Sequence, residues 1–241
     1  MVELFQDGDN NLNSCEFGKV YVYVFLCSYL YLHQSLVLVG AEQCILVRDE
    51  KTKRDVLKAC NNNALVLTAL ESKGMEFSDI LMYNYFQTSD LANNWRLIYH
   101  CLSASKESRP VFDPQKHVAL CAELKLLYVL VTRTRQRLLI FDSDSKSRKP
   151  MLDYWCERSL VTVQPLDDNI KSMFANNSTP EEWREKALQF YERKQYENAK
   201  FCFEKAGDDR NKQLCYAVRA YRINDNPAAF YYFVVYAYIY L

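Results

Sequence analysis

Two stretches carry side chains able to do chemistry. The first is Thr68-Ala69-Leu70-Glu71-Ser72-Lys73-Gly74-Met75-Glu76-Phe77, which follows the apolar run Ala64–Leu67. A polar turn with a lysine and a glycine at the end of a buried strand faces whatever binds at the strand ends. On residue types alone it is a loop suited to a ligand. The second is the basic turn Arg133, Arg135 and Arg137. A guanidinium stays charged and can stabilise charge developing on a transferring phosphoryl group. The plainer reading of such a run is a solvated basic turn. Nine cysteines and three histidines (His33, His100, His117) show no CxxC spacing and no ligand pairs. They support neither a zinc site nor a disulfide framework, and reduced thiols in an intracellular protein, nuclear or cytoplasmic, are expected.

The elements that position these residues can be read from apolar periodicity. Gln43–Val47, Ala64–Leu67, Ile80–Tyr83 and Arg137–Phe141 are short apolar runs and predict buried strands. Asp49–Ala59 predicts a surface helix, and Val118–Val131 carries Leu120, Leu124, Leu127, Tyr128 and Val131 at helical spacing. Short strands alternating with helices predict an α/β unit over residues 40–168 with a parallel sheet. Residues 178–223 read as helical throughout. Ser178-Thr179-Pro180-Glu181-Glu182 is a start signal, and Gly207 stops a second helix. Hydrophobic residues at 49% and charged residues at 25% suit a packed core. Formal net charge is zero, so bulk charge would not hold nucleic acid and any such contact must be a local patch.

The first stretch resembles the T-x-H-x-[AS]-K-G-L-E-F segment of UvrD/Rep-type superfamily 1 helicases, with Leu70 where the family often has histidine and Met75 in place of leucine. Glu123–Leu138 resembles that family's E-x-x-x-L-Y-V-A-x-T-R-A-x-x-x-L helix and turn. Glu42–Arg48 is similar to a preceding strand ending in V-L-x-R. The resemblance implies the second, RecA-like domain of a P-loop NTPase-type motor. It implies ATP with magnesium as cofactors, Glu76 and Gly74 at the nucleotide, and Arg133 directed at the γ-phosphate. It places Lys73 and Thr68 near nucleotide or single-stranded DNA. No G-x-x-x-x-G-K-[ST] occurs in the sequence, so phosphates and magnesium would be held by a partner motor domain supplied from elsewhere. The expected function is a fragment of an ATP-dependent DNA helicase, inactive alone. The alternative is a non-enzymatic protein-interaction module, a helicase-like scaffold carrying helices that bind a protein partner.

Trp183, Phe190, Tyr196, Ala199, Phe203 and Ala206 fall in the register of a tetratricopeptide repeat (TPR), with Lys186 and Asn211 departing where leucine and proline are usual. The same residues also suit a plain helical hairpin packed on the α/β unit. A helicase-like core followed by such helices resembles large proteins described as TPR and ankyrin repeat-containing, which implies that this chain is part of a longer architecture.

Residues 1–19 are polar and read as a loop or frayed terminus. Val20–Val39 and Ala228–Leu241, rich in Tyr, Val and Leu, fit neither the motor nor the repeat. Their composition is what uridine-rich codons specify, so translated non-coding sequence is one expectation, and an exposed strand hairpin is another. Interruption at His33-Gln34-Ser35 makes the first tract a marginal membrane span, and a membrane partner is not expected.

Overall fold

The structure is a computed structural model and describes residues 21–25, 40–102, 111–164, 172 and 177–224. Six parallel strands form one sheet in the order β3-β2-β4-β5-β1-β6. They are β1 (Tyr21–Phe25), β2 (Gln43–Val47), β3 (Val66–Thr68), β4 (Phe77–Tyr83), β5 (Thr134–Phe141) and β6 (Thr162–Gln164). The helices are α1 (Glu50–Ala59), α2 (Val118–Val131), α3 (Ser145–Glu157), α4 (Pro180–Glu192), α5 (Tyr196–Lys205) and α6 (Asp209–Asn224), with a 3₁₀ segment at Ala92–Cys101.

Strand period 2 divides the core in two. Ile45, Val47, Val66, Leu81, Tyr83, Leu139 and Phe141 face α1 and its Val56. Cys44, Leu46, Leu67, Phe77, Ile80, Met82, Leu138 and Ile140 face the other way, onto the 3₁₀ segment, α2, α3 and the helices α4–α6. That second face draws in Trp183, Phe190, Ala199, Cys202 and Phe203, so the C-terminal helices share one core with the sheet.

The reason lies in the connection between β3 and β4. It must cross β2, and it does so in the eight residues 69–76 without a helix. Parallel crossovers normally run to a dozen residues or more and carry a helix that covers the sheet. Here α4 and α5, more than a hundred residues later, supply that cover.

Local signals set the helix ends. Asp49 caps α1 by accepting from the Thr52 amide at 2.8 Å. Thr179 and Glu182 form a reciprocal capping box at the start of α4, with Pro180 in its first turn. Gly207, at φ +68°, follows α5.

The four strands and two helices expected within residues 40–141 are present, with β3 shifted to Val66–Thr68 and β5 extended back to Thr134. The hairpin of residues 178–206 is also present, and α6 extends it. Tyr21–Phe25 departs from expectation. Rather than standing apart from the α/β unit, it pairs in parallel with both β5 and β6. Residues 1–19, most of the tract 20–39 and all of Ala228–Leu241 lie outside the described residues. Among the described residues no helix is long and apolar enough to cross a membrane, and the seven described cysteines are free.

Candidate functional site

The residues expected at a ligand come together at one place. The loop 69–76 and the α2–β5 turn are neighbours: Phe77 N donates to the Arg133 carbonyl at 2.9 Å, and Arg133 Nη1 to the Met75 carbonyl at 3.4 Å. What occupies the loop, however, is the chain's own helical unit. Arg193 Nη2 donates to the Gly74 carbonyl at 2.7 Å and Nη1 to that of Lys73 at 3.3 Å. Gln195 Nε2 donates to the Glu71 carbonyl at 2.7 Å. Lys186 Nζ reaches the Glu76 carbonyl at 3.4 Å.

Lys186 is the residue that breaks the repeat register, and its surroundings explain the break. It is 2% exposed. Its ammonium pairs with Glu42 at 2.6 Å and lies 4.6 Å from the centre of the Phe77 ring. A leucine there would pack against apolar neighbours. A lysine instead carries a charge to the edge of the α/β unit, held by an ion pair and an aromatic face. Asn211, the other departure, donates from its amide N–H and side chain to Asp208 before α6.

Glu71 is the hub of the contact. Its carboxylate accepts from Lys53 Nζ of α1 at 2.6 and 2.7 Å, from Asn198 Nδ2 of α5 at 3.2 Å and from the Thr68 amide at 2.8 Å. Burial pushes its carboxyl up, but Lys53 and the Thr68 amide outweigh that and hold it below the ordinary range. One side chain thus joins α1, the end of β3 and α5.

The loop spends its own amides as well. Glu71 N donates to Thr68 Oγ1, Ser72 N to the Thr68 carbonyl, Lys73 N to that of Leu70 and Met75 N to that of Ser72. A phosphate cradle needs such N–H groups pointing outward. The residues here do not fit one, and no chemical step through ATP or magnesium follows from this loop. Thr68 is buried, while the side chains of Lys73 and Glu76 are exposed. Leu70, where the helicases often have histidine, is 80% exposed.

The arginines of the basic turn are engaged too. Arg133 Nε donates to the Val129 carbonyl at 3.0 Å and Nη2 to Thr132 Oγ1 at 3.4 Å. Arg135 pairs with Glu42. Arg137 meets Asp79 through Nε at 2.6 Å and Nη2 at 2.7 Å. The run is neither fully solvated nor a free cationic patch.

The sequence pointed to the loop but not to what covers it. Glu42, Glu71, Arg193, Gln195 and Asn198 were not singled out, since residue type marks none of them. Lys186 did leave a signal, a charge at an apolar register position.

No family model matches the chain, and no solved structure matches it. TPR and ankyrin repeat-containing protein 1 from Homo sapiens is 33% identical over 202 residues, which is 74% of this chain and 7% of that relative. The chain thus spans a small fraction of the relative's length. By name the relative is a repeat protein, and it overturns the expectation of a helicase fragment with ATP-binding, DNA-binding and hydrolase character. The alternative reading, an interaction module, accords better with it.

Proposed function

We propose that this chain is a non-enzymatic protein-interaction module. In this reading an α/β scaffold of RecA-like descent, residues 40–168, seats a TPR-like helical unit, residues 178–223, which meets protein partners. The observation that carries it is the occupation of the 69–76 loop by Arg193, Gln195 and Lys186. A loop suited to a ligand serves here as the seat of the repeat, and Thr68, Lys73, Gly74 and Glu76 belong to that seat. Burial of Trp183, Ala187, Phe190, Ala199, Phe203 and Ala206 supports a repeat-like packing of the hairpin. The resemblance to a TPR and ankyrin repeat protein supports the same reading. Free cysteines suit a reducing compartment, in nucleus or cytoplasm.

Cross-linking mass spectrometry of partners captured on the full chain tests this. Cross-links should concentrate on the lysines of α4–α6 and their turns, such as Lys194, Lys200 and Lys212. ATP turnover stimulated by single-stranded nucleic acid and abolished by Arg133→Ala would contradict the proposal.

A further inference from the structure

Two connections part from each other at the centre of the sheet. β2 and β4 are neighbours. From β2 the chain turns through α1 on one face and runs to β3. From β4 it turns through the 3₁₀ segment and α2 on the opposite face and runs to β5. Where neighbouring parallel strands send their connections opposite ways, a crevice opens outside the strand carboxyl ends, and ligands of open α/β sheets bind there. Here the crevice is a cleft of about 820 Å³ between the start of α1, the residues after β4 and Ser143 after β5. The volume falls within the ~300–1,000 Å³ of ligand clefts. None of its lining residues belongs to α4–α6.

The cleft holds a buried donor with nothing to bind. Asn84 lines it and is 8% exposed. Its Oδ1 accepts from the Ser143 amide at 2.8 Å. The planar carboxamide therefore turns Nδ2 away from Ser143, and Nδ2 has no partner among the described residues. Gln87 is oriented in the same way: its Oε1 accepts from Ser143 Oγ, which leaves Nε2 to the cleft. A buried donor left unmatched is costly, so a carbonyl-type acceptor is the complement of this wall.

The charges ask for a cation. Asp49, Asp55 and Asp90 line the cleft against one ammonium, that of Lys51. Asp49 already answers the positive end of α1, accepting from Thr52 N at 2.8 Å and Thr52 Oγ1 at 3.1 Å, so an anion finds that end taken. Asp55 and Asp90 are exposed and have no ion-pair partner among the described residues. A basic peptide supplies both complements at once. Its main chain offers carbonyls, and its guanidinium groups suit carboxylates.

We propose that this cleft takes a basic, arginine-bearing segment of a protein partner, whose main-chain carbonyls accept from Asn84 and Gln87 and whose guanidinium groups pair with Asp55 and Asp90. This is a second partner surface, on the α/β unit itself, and it goes beyond the contacts expected at α4–α6.

The test uses the full chain and a fluorescein-labelled nonapeptide of alternating Arg and Ser, read by polarisation. A Glu/Ser peptide should bind at least tenfold more weakly. The double variant Asp55→Asn, Asp90→Asn, altered at exposed positions, should lose at least tenfold while its thermal unfolding stays unchanged. Glu185→Gln with Glu192→Gln removes as much charge from exposed positions of α4 and should leave binding as it is. In ¹⁵N spectra the side-chain amide of Asn84 should shift on titration, and those of Asn61–Asn63, beyond the other end of α1, should not. No binding, no preference over the Glu/Ser peptide, or an equal loss in the α4 variant would overturn the proposal. So would spermine that competes as tightly as the peptide, since it carries charge but no carbonyl. If the peptide fails while partners still cross-link to α4–α6, the cleft is refuted and the module reading stands.

Discussion

The loop 69–76 and a cleft at the start of α1 are built from similar materials and end differently. The loop carries a lysine, a glycine and two glutamates at a strand end; its Glu71 carboxylate and the carbonyls of Glu71, Lys73, Gly74 and Glu76 are engaged by the chain itself, while the side chains of Lys73 and Glu76 are exposed. At the carboxyl ends of β4 and β5 and the start of α1, a cleft of about 820 Å³ is lined by Asp49, Thr52, Asn84, Gln87 and Ser143 and stays open. Its wall is set from behind by Asp142, which is 2% exposed. Asp142 accepts from the amides of Phe86 at 2.7 Å and Gln87 at 3.1 Å. The lesson is that polar residues at strand ends do not by themselves make a site. What decides is whether another element of the chain covers them.

Removing the cover should have the largest effect. Phe203 is 1% exposed within the core that joins α5 to the sheet, so Phe203→Ala should cost about 3–5 kcal/mol in denaturant unfolding. If the helices were only loosely appended, the sheet's unfolding midpoint would not move.

Lys186→Ala comes next. It removes a buried ammonium from Glu42 and Phe77. Breaking a buried pair costs ~3–5 kcal/mol, and Glu42 is part-exposed, so about 2–3 kcal/mol is expected. Lys186→Leu, which restores the repeat's usual residue, should recover stability if apolar packing is enough at this position. It should not recover it if the contact with Glu42 orients the hairpin.

Gly74 has φ +73°, and a Cβ there would stand 2.8 Å from Arg193 Nη1. Gly74→Ala should cost about 1–2 kcal/mol through backbone strain. It should loosen α4–α5 before the rest of the fold, as hydrogen exchange would report.

These contacts also show where reading the sequence stopped. Gln43–Val47 and Val118–Val131 were legible because buried strands and amphipathic helices leave periodic apolar patterns. Tyr21–Phe25 was not, because it lies inside a longer Tyr/Val-rich tract whose composition gives no boundary. The helix α3 was obscured by Pro150 within it and by its charged first turns. The loop was legible as a polar turn after a strand. Its true partner was not, since Arg193 lies 119 residues from Gly74 and nothing local connects them.

On the cleft side the effect is read through pH. Burial lifts the Asp142 carboxyl to about 7, against the pull of the Phe86 and Gln87 amides and of Arg148. An acid raised in the folded state binds a proton that the unfolded chain has already lost. Its contribution is therefore fully present below the unfolded value near ~4 and is lost as pH rises toward 7. Asp142→Asn should flatten that part of the stability profile. Glu71, held low on the loop side, acts in the opposite sense: its contribution is present above the ordinary glutamate value and lost as pH falls below it.

The most direct test of the seated loop is hydrogen exchange on the full chain, compared with the double variant Arg193→Ala, Gln195→Ala. These two side chains hold the carbonyls of Glu71, Lys73 and Gly74. Faster exchange across residues 69–76 and at the α4–α5 turn, with β4 and β5 unchanged, is the result expected. Unchanged exchange in the loop would mean that the helical unit does not hold it.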